Sequence, residues 1–435
     1  MKPITPHRAL IAGLTLWGIL ATASCCIVQS RAATIDDGDA SAAEQVVHAP
    51  RATQPTGNAR MHADCEGGLQ GVLLRVDSRE PDLFAPTHAA LARALLPDCD
   101  VHVLHDELEG FVPLQADLLK IAPRMRDGLH LHALGSPGSA WLRDVITAAE
   151  GPDGAVWLLH AELHYRLMAV RAGGADARAV ISAVDAPTMQ TSLGIDGGEM
   201  VCDGERVLVS ESAARRARRA GTAESDAAFL AQVEQAYGHA AVLVRNRGTD
   251  TWGHCDLVVA TAARRTLVVG SPTLARRILR DTPAEDVAAF ERRLAETAAT
   301  ARKLPPLPAY LREGGVAKRL ETSSNRATRL TAFARMRGAL RDDGFELVEI
   351  PFLSLDPRAD GTRIVLSYTN VVLDAAPDRK RAYVPQYGLA TLDQAALDTW
   401  RRLGWTPVGI DCLGPALAGG GLRCLTQVVR SAGTP

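Results

Sequence analysis

Gly419-Gly420-Gly421-Leu422-Arg423-Cys424-Leu425-Thr426-Gln427 stands near the end of this chain of 435 residues, just before an apolar pair, Val428-Val429. Consecutive glycines let the backbone approach another group closely. A cysteine after them can act as a thiol nucleophile. Alone, the stretch reads equally as a flexible loop followed by a buried, inert cysteine. Three upstream clusters bear on the choice: Trp141-Leu142-Arg143-Asp144, Ile195-Asp196-Gly197-Gly198-Glu199 and Gly253-His254-Cys255-Asp256. Each is weak by itself. An acid before two glycines is most often a turn, and a histidine beside a strand is more often surface or satisfied core than catalytic.

Taken together and in order, the clusters resemble the motifs of the agmatine deiminase and bacterial-type (Porphyromonas-type) peptidyl-arginine deiminase family, within the guanidine-modifying pentein superfamily. That family shows Trp-x-Arg-Asp, an acid followed by Gly-Gly, Gly-His-x-Asp, and a closing Gly-Gly-Gly segment with Cys-x-Thr-Gln. Here two residues rather than three separate Gly421 from Cys424, so the register is counted from Cys424-Leu425-Thr426-Gln427. Ser367-Tyr368-Thr369-Asn370 and Tyr383-Val384-Pro385-Gln386-Tyr387-Gly388 extend the match. It runs from about residue 70 to 430.

The resemblance implies an α/β fold, a five-bladed pseudo-symmetric propeller of ββαβ-type modules with the site in a central cavity. It implies Cys424 as nucleophile, His254 as acid and then base, and Asp196 as the second acid of the catalytic core. Asp144 and Asp256 would hold substrate nitrogens, with Trp141 and Asn370 lining the pocket. No cofactor and no metal are implied.

These residue types suit the chemistry. A guanidinium is planar, delocalised and permanently cationic, and its central carbon is a poor electrophile for water. Carboxylates clamp the flat N–H fork and fix the carbon in place. A thiolate can then attack it, while a histidine protonates the departing amine and later activates water.

Some positions depart from the family pattern. The acidic-Gly-Gly motif usually begins with Glu, and Asp196 is one methylene shorter; Glu199 is nearby, but Asp196 keeps the register. Val145-Ile146-Thr147 stands where the family has Tyr/Thr-Gly-Pro. On a strand, His160, Glu162 and His164 would share one face, yet they lack the HExxH pattern and an evident third ligand, so a solvated or pocket-lining role is preferred there.

Away from the motifs, β-branched runs alternate with Ala/Arg-rich stretches. Strands are expected at Gly71–Val76, Val101–Leu104, Ala155–Leu159, Arg206–Ser210, Ala241–Val244, Asp256–Ala260, Thr266–Val269, Leu347–Pro351, Arg363–Leu373 and Ala382–Pro385. Helices are expected at Pro86–Leu96, Ser225–Tyr237 with Ser225 as N-cap and Gly238 as stop, Ala284–Thr300 after Pro283 at the first helical position, and Ala327–Asp342. The letters show no internal repeat. One large α/β domain fits best.

Composition excludes other classes. Lys+Arg total 48 against 50 Asp+Glu, a net charge of -2, which gives no field for nucleic-acid binding. Only five of the basic residues are lysines. Aromatics are 4%, too few for a base-stacking platform, while 47% hydrophobic residues suffice for a core.

Lys2 and Arg8, the apolar run Ala9 to Ala23 and the small residues after it follow the order of a secretory signal, too short for a stable membrane span. Residues 1–32 are thus expected to be a signal peptide, 33–64 a disordered tether and 65–435 the enzyme domain. Lipidation at Cys25 is the weaker reading, because Thr22-Ala23-Ser24 lacks the usual leucine. Export to the periplasm or beyond would place the cysteines in an oxidising compartment, with Cys65 and Cys99 as a candidate bridge.

The leading expectation is an exported hydrolase that deiminates a small-molecule or peptide guanidino substrate: agmatine, free arginine or peptidyl-arginine. An amidinotransferase and a non-catalytic guanidine binder are the alternatives, with a Cys-His peptidase behind them.

Overall fold

A computed structural model describes residues 59–76, 80–105, 112–118, 120, 127–134, 140–151, 156–161, 188–191, 193–249, 251, 253–304, 306–307, 327–355 and 363–430. The expected signal peptide, most of the expected tether, and Glu162 and His164 lie outside these residues.

Its strands form five small sheets built on one plan. A central strand pairs antiparallel with one neighbour and parallel with another. The chain opens with β1 (Arg60–Met61), then β2 (Leu69–Arg75), helix α1 (Pro81–Leu95) and β3 (Asp100–His105), which returns parallel to β2 with Val72 opposite Val101. After α2 (Val112–Leu118), β4 (Leu129–Ala133) adds parallel to β3. In the next sheet β5 (Thr147–Glu150) and β6 (Val156–Ala161) are antiparallel and β7 (Thr188–Thr191) lies parallel to β6.

The plan then repeats. Antiparallel β8 (Met200–Cys202) and β9 (Arg206–Ser210) lead through α3 (Glu211–Arg219) and α4 (Asp226–Tyr237) to parallel β10 (Ala240–Val244). Antiparallel β11 (Val259–Ala263) and β12 (Thr266–Ser271) lead through α5 (Pro272–Arg280), α6 (Ala284–Ala299) and α7 (Ala327–Asp342) to parallel β13 (Glu346–Ser354), with β14 (Val365–Ser367) added at its edge. Antiparallel β15 (Val372–Ala376) and β16 (Arg379–Gln386) lead through α8 (Ala390–Arg402) to parallel β17 (Thr406–Asp411). Last, after the short helix α9 (Leu413–Leu417), β18 (Thr426–Arg430) pairs antiparallel with β2. The final strand thereby completes the first module, and four of the units follow the expected ββαβ plan among the described residues, while in the unit of β5 to β7 the connection from β6 to β7 lies outside them.

Local chemistry explains the elements. Central strands such as β9 (RVLVS) and β12 (TLVVGS) are aliphatic and buried nearly throughout, as a strand covered on both faces requires. Helix α4 starts where the Ser225 hydroxyl accepts the Ala228 amide at 3.1 Å and stops at Gly238, whose φ of 70° suits glycine. Its burial of Phe229, Val233 and Tyr237 seats it on the sheet of β8–β10.

The structure corrects several expectations. Ala59, Met61 and Ala63 are buried and β1 pairs with β5, so the fold begins before residue 65. The run Arg363–Leu373 is two strands, because Tyr368 to Asn370 turn aside into the site. The strand expected from Asp256 begins at Val259, because the Asp256 amide is held by the Gly198 carbonyl at 3.2 Å. Pro283 is the N-cap of α6 rather than its first helical residue, and α1 begins at Pro81 rather than Pro86. Cys65 and Cys99 are free and buried; their thiols donate to the Asp203 and Leu95 carbonyls, both at 3.7 Å, in different parts of the fold. Among the described residues no helix is long and apolar enough to cross a membrane.

Candidate active site

Loops from the ends of separate sheets converge on one cavity of about 230 Å³, lined by Trp141, Asp144, His254, Ala418, Gly419, Gly420 and Cys424. Cys424 sits in the turn before β18, so the pairing of β18 with β2 fixes its place. Its thiol accepts a hydrogen bond from the Asn370 amide at 3.4 Å. The Asn370 side-chain oxygen in turn accepts the Arg423 and Cys424 backbone amides at 2.7 and 3.3 Å. One buried asparagine therefore holds both the backbone and the sulfur of this turn.

The glycines before it are steric requirements. A Cβ on Gly420 would overlap the Trp141 ring, and one on Gly421 would overlap the Asn370 amide. Trp141 is braced from behind by Phe84, edge-on at 5.5 Å. Gly198 does the same for His254: any side chain there would collide with the imidazole. Gly253, with φ of 94°, turns the chain just before it.

Asp196 caps the 3-10 turn Gly197–Glu199. Its Oδ1 accepts the Glu199 amide at 3.1 Å and lies 3.4 Å from His254 Nε2. Glu199 is turned away from the cavity: its carboxylate is engaged by Arg216, with Nη1 at 2.6 Å, and by the Ser210 hydroxyl at 3.2 Å. Donor atoms of His254, Asp256 and Cys424 lie within 4.8 Å of one another, as do those of Asp144, Asp196 and His254. All seven residues singled out in the sequence meet here.

Two carboxylate oxygens stand out. Asp144 Oδ1 and Asp256 Oδ1 are buried and accept no hydrogen bond. Such acceptors are costly unless something else supplies their donors.

Three residues of this centre were missed in the sequence. The Arg423 guanidinium donates to Asp256 Oδ2 at 2.8 Å, to the Gly197 and Met200 carbonyls at 3.1 and 3.0 Å, and to both Asp64 oxygens at 3.2 Å. Arg143 donates to Asp64 at 3.2 Å and to the Gln427 side chain at 3.1 Å. Asp64 had been assigned to the tether. The only available signal was two arginines inside otherwise apolar motifs, which a buried site must neutralise.

The fold and much of the sequence pattern have counterparts among known proteins. A profile of the Porphyromonas-type peptidyl-arginine deiminase family matches residues 85–429. The chain belongs to that family. It is therefore a hydrolase of guanidino C–N bonds. A Porphyromonas gingivalis protein assigned as an arginine deiminase has a similar fold, with a TM-score of 0.58 at 17% identity over 86% of this chain and 98% of that one. The Campylobacter (C. jejuni) agmatine deiminase gives 0.56 at 12% identity, over 89% and 100%. A protein assigned as a peptidyl-arginine deiminase gives 0.60 at 14%, over 86% and 99%. No curated protein matches significantly.

The electrostatics of the deiminase site follow from its burial. Burial pushes the Asp144 carboxyl up to about 8, helped by Asp196 and Asp256 and opposed by His254. Burial raises Asp256 too, against the pull of Arg423 and His254. For His254 burial disfavours the charge, but Asp196 and Asp144 outweigh it and hold the imidazole well above its ordinary value. Burial and Asp256 raise the Cys424 thiol, with His254 acting in the other direction. Attraction to Asp196 and Asp144 thus favours the charged ring, while burial opposes ionisation of Asp144, Asp256 and Cys424.

Proposed function

We propose that this deiminase acts through a covalent Cys424 intermediate, with the substrate guanidinium held between Asp144 and Asp256. The observation that carries the reading is the pair of unpartnered oxygens, Asp144 Oδ1 and Asp256 Oδ1, beside the thiol and imidazole. A guanidinium supplies the N–H donors both oxygens lack. Its positive charge offsets the acids that raise Cys424, so substrate arrival favours the thiolate.

The steps balance without an added reagent. Cys424 Sγ bonds to the guanidinium carbon, and His254 gives its proton to the departing nitrogen, which leaves as ammonia. This leaves an amidino-thioether. Neutral His254, steadied by Asp196, then takes a proton from water as it attacks the same carbon. The C–S bond breaks, the hydroxyl proton of the adduct passes through solvent to the released ammonia, which becomes ammonium, and a neutral ureido product leaves, restoring thiolate and imidazolium.

The cavity of about 230 Å³ suits a guanidino head with its alkyl arm, which agmatine, arginine and peptidyl-arginine share. The N-terminal signal order favours an extracellular arginine or peptide over a polyamine precursor. Ammonia release should be measured with each of the three. Turnover without an added amine supports hydrolysis, whereas turnover only with an acceptor amine makes the chain an amidinotransferase. Mass spectrometry of the wild-type protein quenched in acid during turnover should find the adduct on Cys424. Full turnover by Cys424→Ala would overturn the proposal.

A further inference from the structure

A second cluster of metal-binding side chains lies outside the cavity lining, on the sheet of β2, β3 and β4. Asp100 and His102 alternate along β3, and His130 and His132 along β4, so all four share one face of the parallel pair. The register sets His102 directly opposite His130. Donor atoms of Asp100, His102 and His130 lie within 4.8 Å of one another. His102 Nδ1 lies 3.0 Å from His132 Nε2. The rings stack, His102 with His130 at 4.7 Å and with His132 at 5.2 Å between centroids.

We propose that Asp100, His102, His130 and His132 form a binding site for one divalent late first-row transition cation, with zinc as the type case. Three imidazoles and a carboxylate make up a donor set that such ions favour. Around a tetrahedral zinc with bonds of about 2.0–2.1 Å, two ring nitrogens sit roughly 3.3 Å apart. The pair at 3.0 Å is already near that spacing. A shared proton satisfies one nitrogen pair, whereas a cation can be taken by Asp100, His102 and His130 together, with His132 against His102 as the fourth side chain. Access is open: β4 is the outer strand of its sheet, and the Asp100 and His130 side chains are 55% and 40% exposed. In the sequence, the alternation His130-Leu131-His132 on a short strand was the available signal.

The test uses the full chain, stripped of metal with a chelator, then titrated with zinc against a chromophoric competitor. One tight equivalent is expected, retained in Cys424→Ser, which removes the thiol of the catalytic cluster. His130→Gln and the exposed Asp100→Asn should each weaken binding at least about tenfold with unchanged far-UV circular dichroism. Cobalt loading of the wild type should give ligand-field bands without a thiolate charge-transfer band. Absence of zinc binding in the wild type, loss of the site in Cys424→Ser, or unchanged affinity in both His130→Gln and Asp100→Asn would overturn the proposal.

Discussion

Arg423 holds one oxygen of Asp256 at 2.8 Å and leaves the other without a partner. The residue beside the thiol thus engages one half of a single carboxylate and leaves the other half without a donor. Arg423 and Asp256 are both buried, and Asp64 neutralises Arg423 from the other side. Removing one partner of such a cluster leaves an uncompensated charge. Arg423→Ala should cost about 3–5 kcal/mol of stability, read from urea unfolding. Deleting residues 1–58 should leave that stability unchanged, whereas deletion through Asp64 should lower it along with activity.

Cys424→Ala should lower kcat by more than about 10⁴-fold, as loss of a nucleophile does elsewhere. Binding of the guanidino substrate should persist, because the two orphan acceptors remain. Calorimetry of the inactive variant checks both halves of that statement.

Asp144 gives the pH dependence. Its folded value of about 8 lies above the ordinary carboxylate value of 3.8, so the folded state binds this proton more tightly. Its contribution to stability is complete below about 4 and is lost as pH rises toward 8. Asp144→Asn should flatten the fall in melting temperature across that window. Substrate binding needs the opposite state, the carboxylate, so kcat/KM should rise as pH approaches 8. A kcat/KM that falls over this range would contradict the role given to Asp144.

Gly198→Ala should be a catalytic rather than a folding lesion. The new methyl can be housed only by moving the His254 ring. A displacement on the order of 1 Å costs roughly 10²-fold in rate. Steady-state kinetics, with thermal unfolding as control, separates the two effects.

The residues that meet at the cavity were legible in the sequence because their motifs, weak singly, resemble those of one family when taken in order, and because glycines clear the space beside Trp141, Asn370 and His254. The fivefold plan was not legible as a repeat, since it needs only an aliphatic central strand between two neighbours, and RVLVS and TLVVGS meet that need with different letters. Asn370 illustrates a third situation. Arg363 to Leu373 reads as one strand, but the side-chain bonds of Asn370 to a turn more than fifty residues later outweigh strand propensity and bend the chain. Asp64 was lost to the tether because its local sequence is polar, and its value lies wholly in two distant arginines.

The closure of β18 on β2 also governs timing. Asp64, Asp144, Asp196, His254, Asp256 and Cys424 come from nearly the whole length of the chain, and the thiol arrives immediately before the last strand. Until the chain has folded, thiol, imidazole and acids are far apart along it. The cluster therefore cannot assemble before β18 has docked on β2.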